Sequence, residues 1–160
     1  MCFLDITGYT RLTQERGDAA AARLAEDLGQ VVRQTSVSHG GRPVKWLGDG
    51  VMLHFPNPAS GVVGALDMVE AILGAGLPPA HVGLHAGPVI FQEGDYYGQT
   101  VNLAARIADY ARPGEVLVSE SVMGSTMPSG VAFDDIGNVE LKGVAGVVHL
   151  AAARRSELAR

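Results

Sequence analysis

Arg42-Pro43-Val44-Lys45-Trp46-Leu47-Gly48-Asp49-Gly50-Val51-Met52-Leu53-His54-Phe55 is the stretch whose reading decides the fold. Two short apolar runs, residues 42–47 and 51–55, flank Gly48-Asp49-Gly50, a hairpin signal of the Asp-Gly type. Helical patterns lie on both sides of it. Upstream, Leu24, Leu28, Val31 and Val32 share one face of a helix that opens near Asp18, its expected N-cap, and ends at His39-Gly40-Gly41. Downstream, Asn57 caps and Pro58 starts a helix whose apolar face runs through Val62, Leu66, Val69 and Leu73. Residues 2–6 read as a buried strand before the first helix, and residues 82–85 as a strand after the second. The order strand-helix-strand-strand-helix-strand predicts an α+β fold. It is a ferredoxin-like βαββαβ core, a mostly antiparallel sheet with helices packed on it.

C-terminal extensions follow that core. Strands are expected at residues 89–91, 115–119, 131–136, 139–141 and 147–152. A helix is expected from near Gly98 to about Ala111, with a short one over residues 119–124. One domain over residues 1–153 and a polar, frayed tail over 154–160 account for the 160 residues. With 47% hydrophobic and 18% charged residues, the chain has the composition of a folded protein. A formal charge of −5 lacks the basic footprint of a nucleic-acid binder, so no nucleic-acid partner is expected. The single cysteine, Cys2, excludes an internal disulfide, fits a reducing compartment and reads as a small apolar strand residue. No run approaches the roughly 18 apolar residues of a membrane span, and no signal peptide is visible. The expectation is a cytoplasmic domain with no membrane contact from this segment. The abrupt start on a strand points to a domain cut from a longer protein, which leaves room for an upstream membrane or sensor region.

Asp5 and Asp49 each stand at the polar edge of an apolar strand. A desolvated charge needs a partner. In the ferredoxin-like order the first strand lies beside the hairpin, so the two carboxylates approach each other, repel, and are relieved by a hard cation. Magnesium is the default where substrate phosphates complete a site with few protein ligands, and the main-chain carbonyl of Ile6 is a natural further ligand. Taken singly, Asp49 also fits a plain turn residue and Asp5 a helix cap. Thr7-Gly8-Tyr9-Thr10 sits at a strand-to-helix junction whose N–H groups converge on an anion, a cradle suited to a triphosphate. It lacks the Gly-Lys-Ser/Thr ending of a P-loop. Asn102 and Arg106 are four apart and share a helical face. An amide and a guanidinium together suit a ribose oxygen and a phosphoryl group in its transition state. A capped helix carrying an exposed arginine is the plainer alternative.

The segments FLDITGYT (3–10), KWLGDGVMLHF (45–55), GLHAGPV (83–89), GDYYGQTVNLAARI (94–107), PGEVLVS (113–119) and ELKG (140–143) resemble those of the class III nucleotidyl cyclase catalytic domain, the adenylate and guanylate cyclase family. They occur in the family's order from Phe3 to Leu150. The resemblance implies a head-to-tail homodimer with active sites built across the interface. Asp5 and Asp49, with Ile6, fall on the metal-binding positions for two Mg2+ or Mn2+ ions per site. Lys45 and Asp95 fall on the purine-selecting pair, Asn102 and Arg106 on the pair that orients the ribose and stabilises the transition state, and Lys142 on a lysine that contacts the triphosphate. In the implied reaction ATP yields 3′,5′-cyclic AMP and pyrophosphate. One ion lowers the pKa of the ribose 3′-hydroxyl and the other holds the β- and γ-phosphates. Donors and acceptors agree with that substrate. Lys45 can only donate and ionised Asp95 can only accept, which complements the adenine edge and mismatches guanine. No dedicated protein base is evident, and His39 and His85 read as structural. A guanylate cyclase is disfavoured by Lys45. A non-catalytic nucleotide-binding module of the same fold is disfavoured because every matched position holds a competent residue.

Overall fold

The structure, a computed structural model, describes residues 1–156. In chain order the elements are β1 (Cys2–Ile6), α1 (Tyr9–Arg16), α2 (Asp18–Val37), β2 (Arg42–Trp46), β3 (Gly50–His54), α3 (Pro58–Gly74) and β4 (Ala80–Leu84). These are followed by β5 (Ile90–Gln92), β6 (Asp95–Tyr97), α4 (Gln99–Tyr110), β7 (Val116–Ser119), α5 (Glu120–Met123), β8 (Val131–Glu140) and β9 (Val147–Arg155). Among the described residues seven strands form one sheet in the order β2-β3-β1-β4-β7-β9-β8, and β5 and β6 form a separate ribbon. The stretch β4-β1-β3-β2, joined by α2 and α3, is the expected ferredoxin-like core. Every described strand pair is antiparallel except β4 with β7.

Alternation along β1 decides what each face carries. Leu4 and Ile6 point to the layer of α2 and α3, where Leu24, Leu28, Val32, Leu53, Val62, Met68 and Ile72 close the main core. Burying each such side chain contributes about 1.5–3 kcal/mol. Phe3 belongs to the opposite face, with Met52, Val101, Ala104 and Ala108 beneath α4. Asp5, two residues on, shares that face. α4 lies almost backbone to backbone on β4. A Cβ at Gly83 would stand 2.2 Å from the Ala108 nitrogen and 2.7 Å from the Ala104 oxygen. The small side chains of Ala104 and Ala108 keep this contact slim, and Ala105 is only partly buried.

Several local readings change. The hairpin turns on Gly48-Asp49, not on Asp49-Gly50: Leu47 N–H donates to the Gly50 carbonyl at 2.8 Å, and Gly48 takes the left-handed first central position (φ 71°). Asp18 is the first helical residue of α2, with Gly17 as N-cap. The helix that the Thr7–Thr10 turn opens is separate from the one that starts at Asp18: α1 ends at Arg16, with Gly17 between the two, and leans on the core only through partly buried Tyr9 and Leu12. The two strands expected over 131–141 are one strand with a register shift between Asp135 and Gly137. β9 continues through Arg154 and Arg155, which composition assigned to a polar tail, while residues 157–160 of that tail lie outside the described residues. Trp46 is exposed at the sheet edge, with the Arg33 guanidinium 5.6 Å from its ring centroid. No described helix is long and apolar enough to cross a membrane.

Candidate active site

The β1–β3 ladder holds Asp5 and Asp49 together. Asp5 pairs with Gly50 across it, and Ile6 N–H donates to the Asp49 carbonyl at 3.0 Å. The Asp5 carboxylate lies directly over Gly50, where a Cβ would stand 1.9 Å from its Oδ1. Burial pushes the Asp5 carboxyl up to about 6, with the nearby negative charges of Asp49 and Asp109 adding to the rise and His81 opposing it. His81 faces Asp5 from β4, and its Nδ1–H donates to the Ala108 carbonyl at 2.7 Å. Thr7 Oγ1, two residues beyond Asp5, is buried without a hydrogen-bond partner. Among the described residues no group of three or more His, Cys, Asp or Glu could hold a metal ion. Two acidic groups, one of them resisting its charge, with an orphaned hydroxyl two residues on, fit a divalent cation whose remaining oxygens come from main chain, water and phosphate. Gly8, in the left-handed region, is the N-cap of α1 and offers no side-chain acceptor to that helix's first N–H groups. Thr7, Gly8, Tyr9 and Thr10 therefore do form the expected strand-to-helix junction.

A second cluster forms around Lys45 and Asp95. The Lys45 Nζ on β2 donates to Asp95 Oδ2 on β6 at 3.2 Å, across 50 residues of sequence. Tyr96 N–H donates to Asp95 Oδ1 at 2.8 Å. That N–H, then Lys45, holds the Asp95 carboxyl below the usual carboxylate range. Lys45, Asp95 and Asn102 line one cavity of 310 Å³ with Phe3, Met52 and Val101 among its apolar walls. The sequence reading missed the device that brings Asp95 there. Residues 89–91 do not join the main sheet. β5 and β6 pair with each other, Gln92 opposite Asp95, through a turn in which Glu93 and Gly94 both take positive φ.

Asn102 and Arg106 both stand exposed on α4, one turn apart. Arg106 Nη1 donates to Asp109 Oδ2 at 3.2 Å. Asn102 also lines a groove of 870 Å³ with Tyr97, Leu103 and Gly143. A Cβ at Gly143 would stand 3.9 Å from Arg106 Nε, so the β8–β9 loop that carries exposed Lys142 lies beside Arg106. Asp5 and Asp49 line neither the cavity nor the groove. Asp109, which Arg106 holds, is also near enough to Asp5 to raise its carboxyl. His39 meets the Asp67 carboxylate at 2.6 Å and His85 meets Ser119 Oγ at 2.6 Å, so both have protein partners, although His85 also lines the groove with Asn102.

The sequence profile of the adenylate and guanylate cyclase catalytic domain matches residues 1–152. The chain is 32% identical over 163 residues to a Mycobacterium tuberculosis protein named as a pH-sensitive adenylate cyclase, covering 97% of this chain and 40% of that one. It is 34% identical over 117 residues to the adenylate cyclase of Streptomyces coelicolor, covering 72% of this chain and 31% of the relative. The chain therefore spans well under half the length of these relatives. Its fold is that of the catalytic core of a rhodopsin-guanylyl cyclase with converted specificity, solved with ATPαS (TM-score 0.85, 23% identity, 97% and 94% of the two chains). It is also that of the adenylyl cyclase CyaB from P. aeruginosa (TM-score 0.77, 22% identity, 98% and 93%).

Proposed function

The chain belongs to the adenylate and guanylate cyclase catalytic domain family, and on that premise we propose that it is an adenylate cyclase acting as a homodimer. The observation that carries the choice of purine is the Lys45–Asp95 pair, 3.2 Å apart at the wall of a cavity that Asn102 also lines. An ammonium beside a carboxylate donates to adenine N1 and accepts from its exocyclic amine. Guanine presents the reverse edge and would leave both groups unpaired. Phe3, Met52 and Val101 give the base an apolar wall. The bacterial relatives named as adenylate cyclases support the same substrate.

The remaining residues take roles that suit their chemistry. Asn102 orients the ribose. Its 3′-oxygen attacks the α-phosphorus in line, the bond to the bridging oxygen breaks, pyrophosphate leaves, and the hydroxyl proton passes to water. Arg106 exchanges Asp109 for the phosphoryl oxygens as charge builds on them. The N–H groups of the Thr7–Thr10 junction and the Lys142 ammonium hold the triphosphate. Divalent cations, Mg2+ or Mn2+, held by Asp5, the Ile6 carbonyl and Asp49, would neutralise phosphate charge and acidify the attacking hydroxyl. As the family resemblance implies, the acidic pair of one copy serves the base-reading side of the second, so each site takes residues from both chains. Incubation of the folded protein with ATP or GTP and Mg2+ or Mn2+, followed by chromatography of the product, tests this. Cyclic AMP is expected from ATP. Cyclic GMP as the main product would overturn the substrate assignment, and no cyclic nucleotide from a folded dimer would overturn catalysis.

A further inference from the structure

The β5–β6 ribbon carries Asp95 yet stands outside the main sheet, and each of its strands has three residues. An isolated two-stranded ribbon is marginal by itself, so side chains must decide where it sits. Tyr96 makes two contacts to the β2–β3 hairpin that do so, and one within the ribbon. Its ring lies parallel to the His54 ring, 5.0 Å between centroids and 1° between planes. Within the ribbon, the Phe91 ring of β5 tilts against the Tyr96 ring, 4.8 Å between centroids and 47° between planes. Its hydroxyl accepts from Arg42 Nη2 at 3.0 Å. Arg42 and His54 are not independent sites, because they face each other in the β2–β3 ladder that also carries Lys45.

Adjacent ribbon residues thus grip one hairpin at two points, Asp95 at Lys45 and Tyr96 at the Arg42–His54 pair. One contact alone would leave a pivot. Two fix both the position and the rotation of the ribbon. The Tyr96 N–H also sets the Asp95 carboxylate by its bond to Oδ1, leaving Oδ2 turned to Lys45. We infer that Tyr96 is a specificity-positioning residue, docked on the Arg42–His54 pair so that Asp95 presents a fixed acceptor beside Lys45. This rests on the base-reading role proposed above for Lys45 and Asp95.

The test is the ATP-to-GTP preference, measured both as a ratio of kcat/KM values and as a ratio of dissociation constants, so that a chain that binds without turning over still answers. Tyr96→Ala removes the stack and the hydroxyl, and the preference for ATP is expected to fall about tenfold, through KM with kcat little changed. Tyr96→Phe keeps the stack and loses the Arg42 bond, for a fall of about threefold. Arg42→Met should match Tyr96→Phe, and the double variant should be no worse than either single one. His54→Phe retains a ring and should stay within about twofold of the parent. Equal losses on ATP and GTP, or an unchanged ratio in Tyr96→Ala, would overturn the inference. If Tyr96→Ala does not fold, Tyr96→Phe, Arg42→Met and their double variant decide in the same terms. Lys45→Glu separates the two levels. If it leaves the ratio unchanged, the base-reading assignment itself fails. If it shifts the ratio while the Tyr96 and Arg42 variants do not, the positioning role alone falls.

Discussion

Gly50 shows how much a single missing atom can decide. The Asp5 carboxylate fills the space where its Cβ would be, at 1.9 Å. Gly50→Ala must therefore displace Asp5 or part β1 from β3. We expect a loss of about 1–3 kcal/mol in thermal melts and, because a shift of that size misplaces the acidic pair, about a 100-fold loss of cyclase rate. Asp5 itself gives a prediction with a definite sign. Its carboxyl is raised to about 6 in the fold against 3.8 unfolded, so the native state binds the extra proton. Without metal, stability from this group is full below about 3.8 and is lost as pH rises through about 6. Asp5→Asn in chelator should thus melt higher than the parent at neutral pH, with the gain vanishing near pH 4. Equal melting temperatures across that range would refute the strained carboxylate. At this scale the sequence was readable where chemistry was unusual for its setting: a carboxylate ending an apolar strand marked Asp5. His81 was not readable, because its place opposite Asp5 is set by strand register, which no local pattern carries.

Among the elements, α4 carries two residues of the proposed site, Asn102 and Arg106, and packs on β4 at close range. It reaches β4 through Gly83, Ala104 and Ala108, with a Cβ at Gly83 only 2.2 Å from backbone. Gly83→Ala should push the helix outward, cost roughly 1–3 kcal/mol or more, and lower activity further than stability predicts, since Asn102 and Arg106 ride on that helix. Melting curves alongside rates measured well below the melting temperature will separate the two effects. α4 and the helices over α2 and α3 were legible because each has an apolar stripe at helical spacing. The β5–β6 ribbon was not: each of its strands has only three residues, and its pairing depends on positive φ at Glu93 and Gly94. β8 was read as two strands because Gly137 interrupts the pattern at the bulge that in fact joins them.

At the level of the whole molecule, the proposal that two copies share each site has a test that needs no structure of the assembly. Asp49→Ala and Arg106→Ala, each inactive alone, should recover about a quarter of parental activity when mixed, since half of randomly reassorted dimers are mixed and each holds one intact site of two. No recovery while subunits demonstrably exchange would reject shared sites. The order of elements, and so the ferredoxin-like core, followed from sequence because helical and strand patterns alternate along the chain in the order β1-α2-β2-β3-α3-β4. The proposed sharing of each site between two copies came only from the family resemblance, because no local pattern says which surface meets a partner. The hairpin at the edge of that sheet carries one more consequence. Trp46, the only tryptophan in the chain, stands next to Lys45, open to water beneath Arg33. The protein therefore carries its own optical label: emission from this indole should move to shorter wavelength as a second copy or a base covers the hairpin, reporting assembly in real time and independently of turnover.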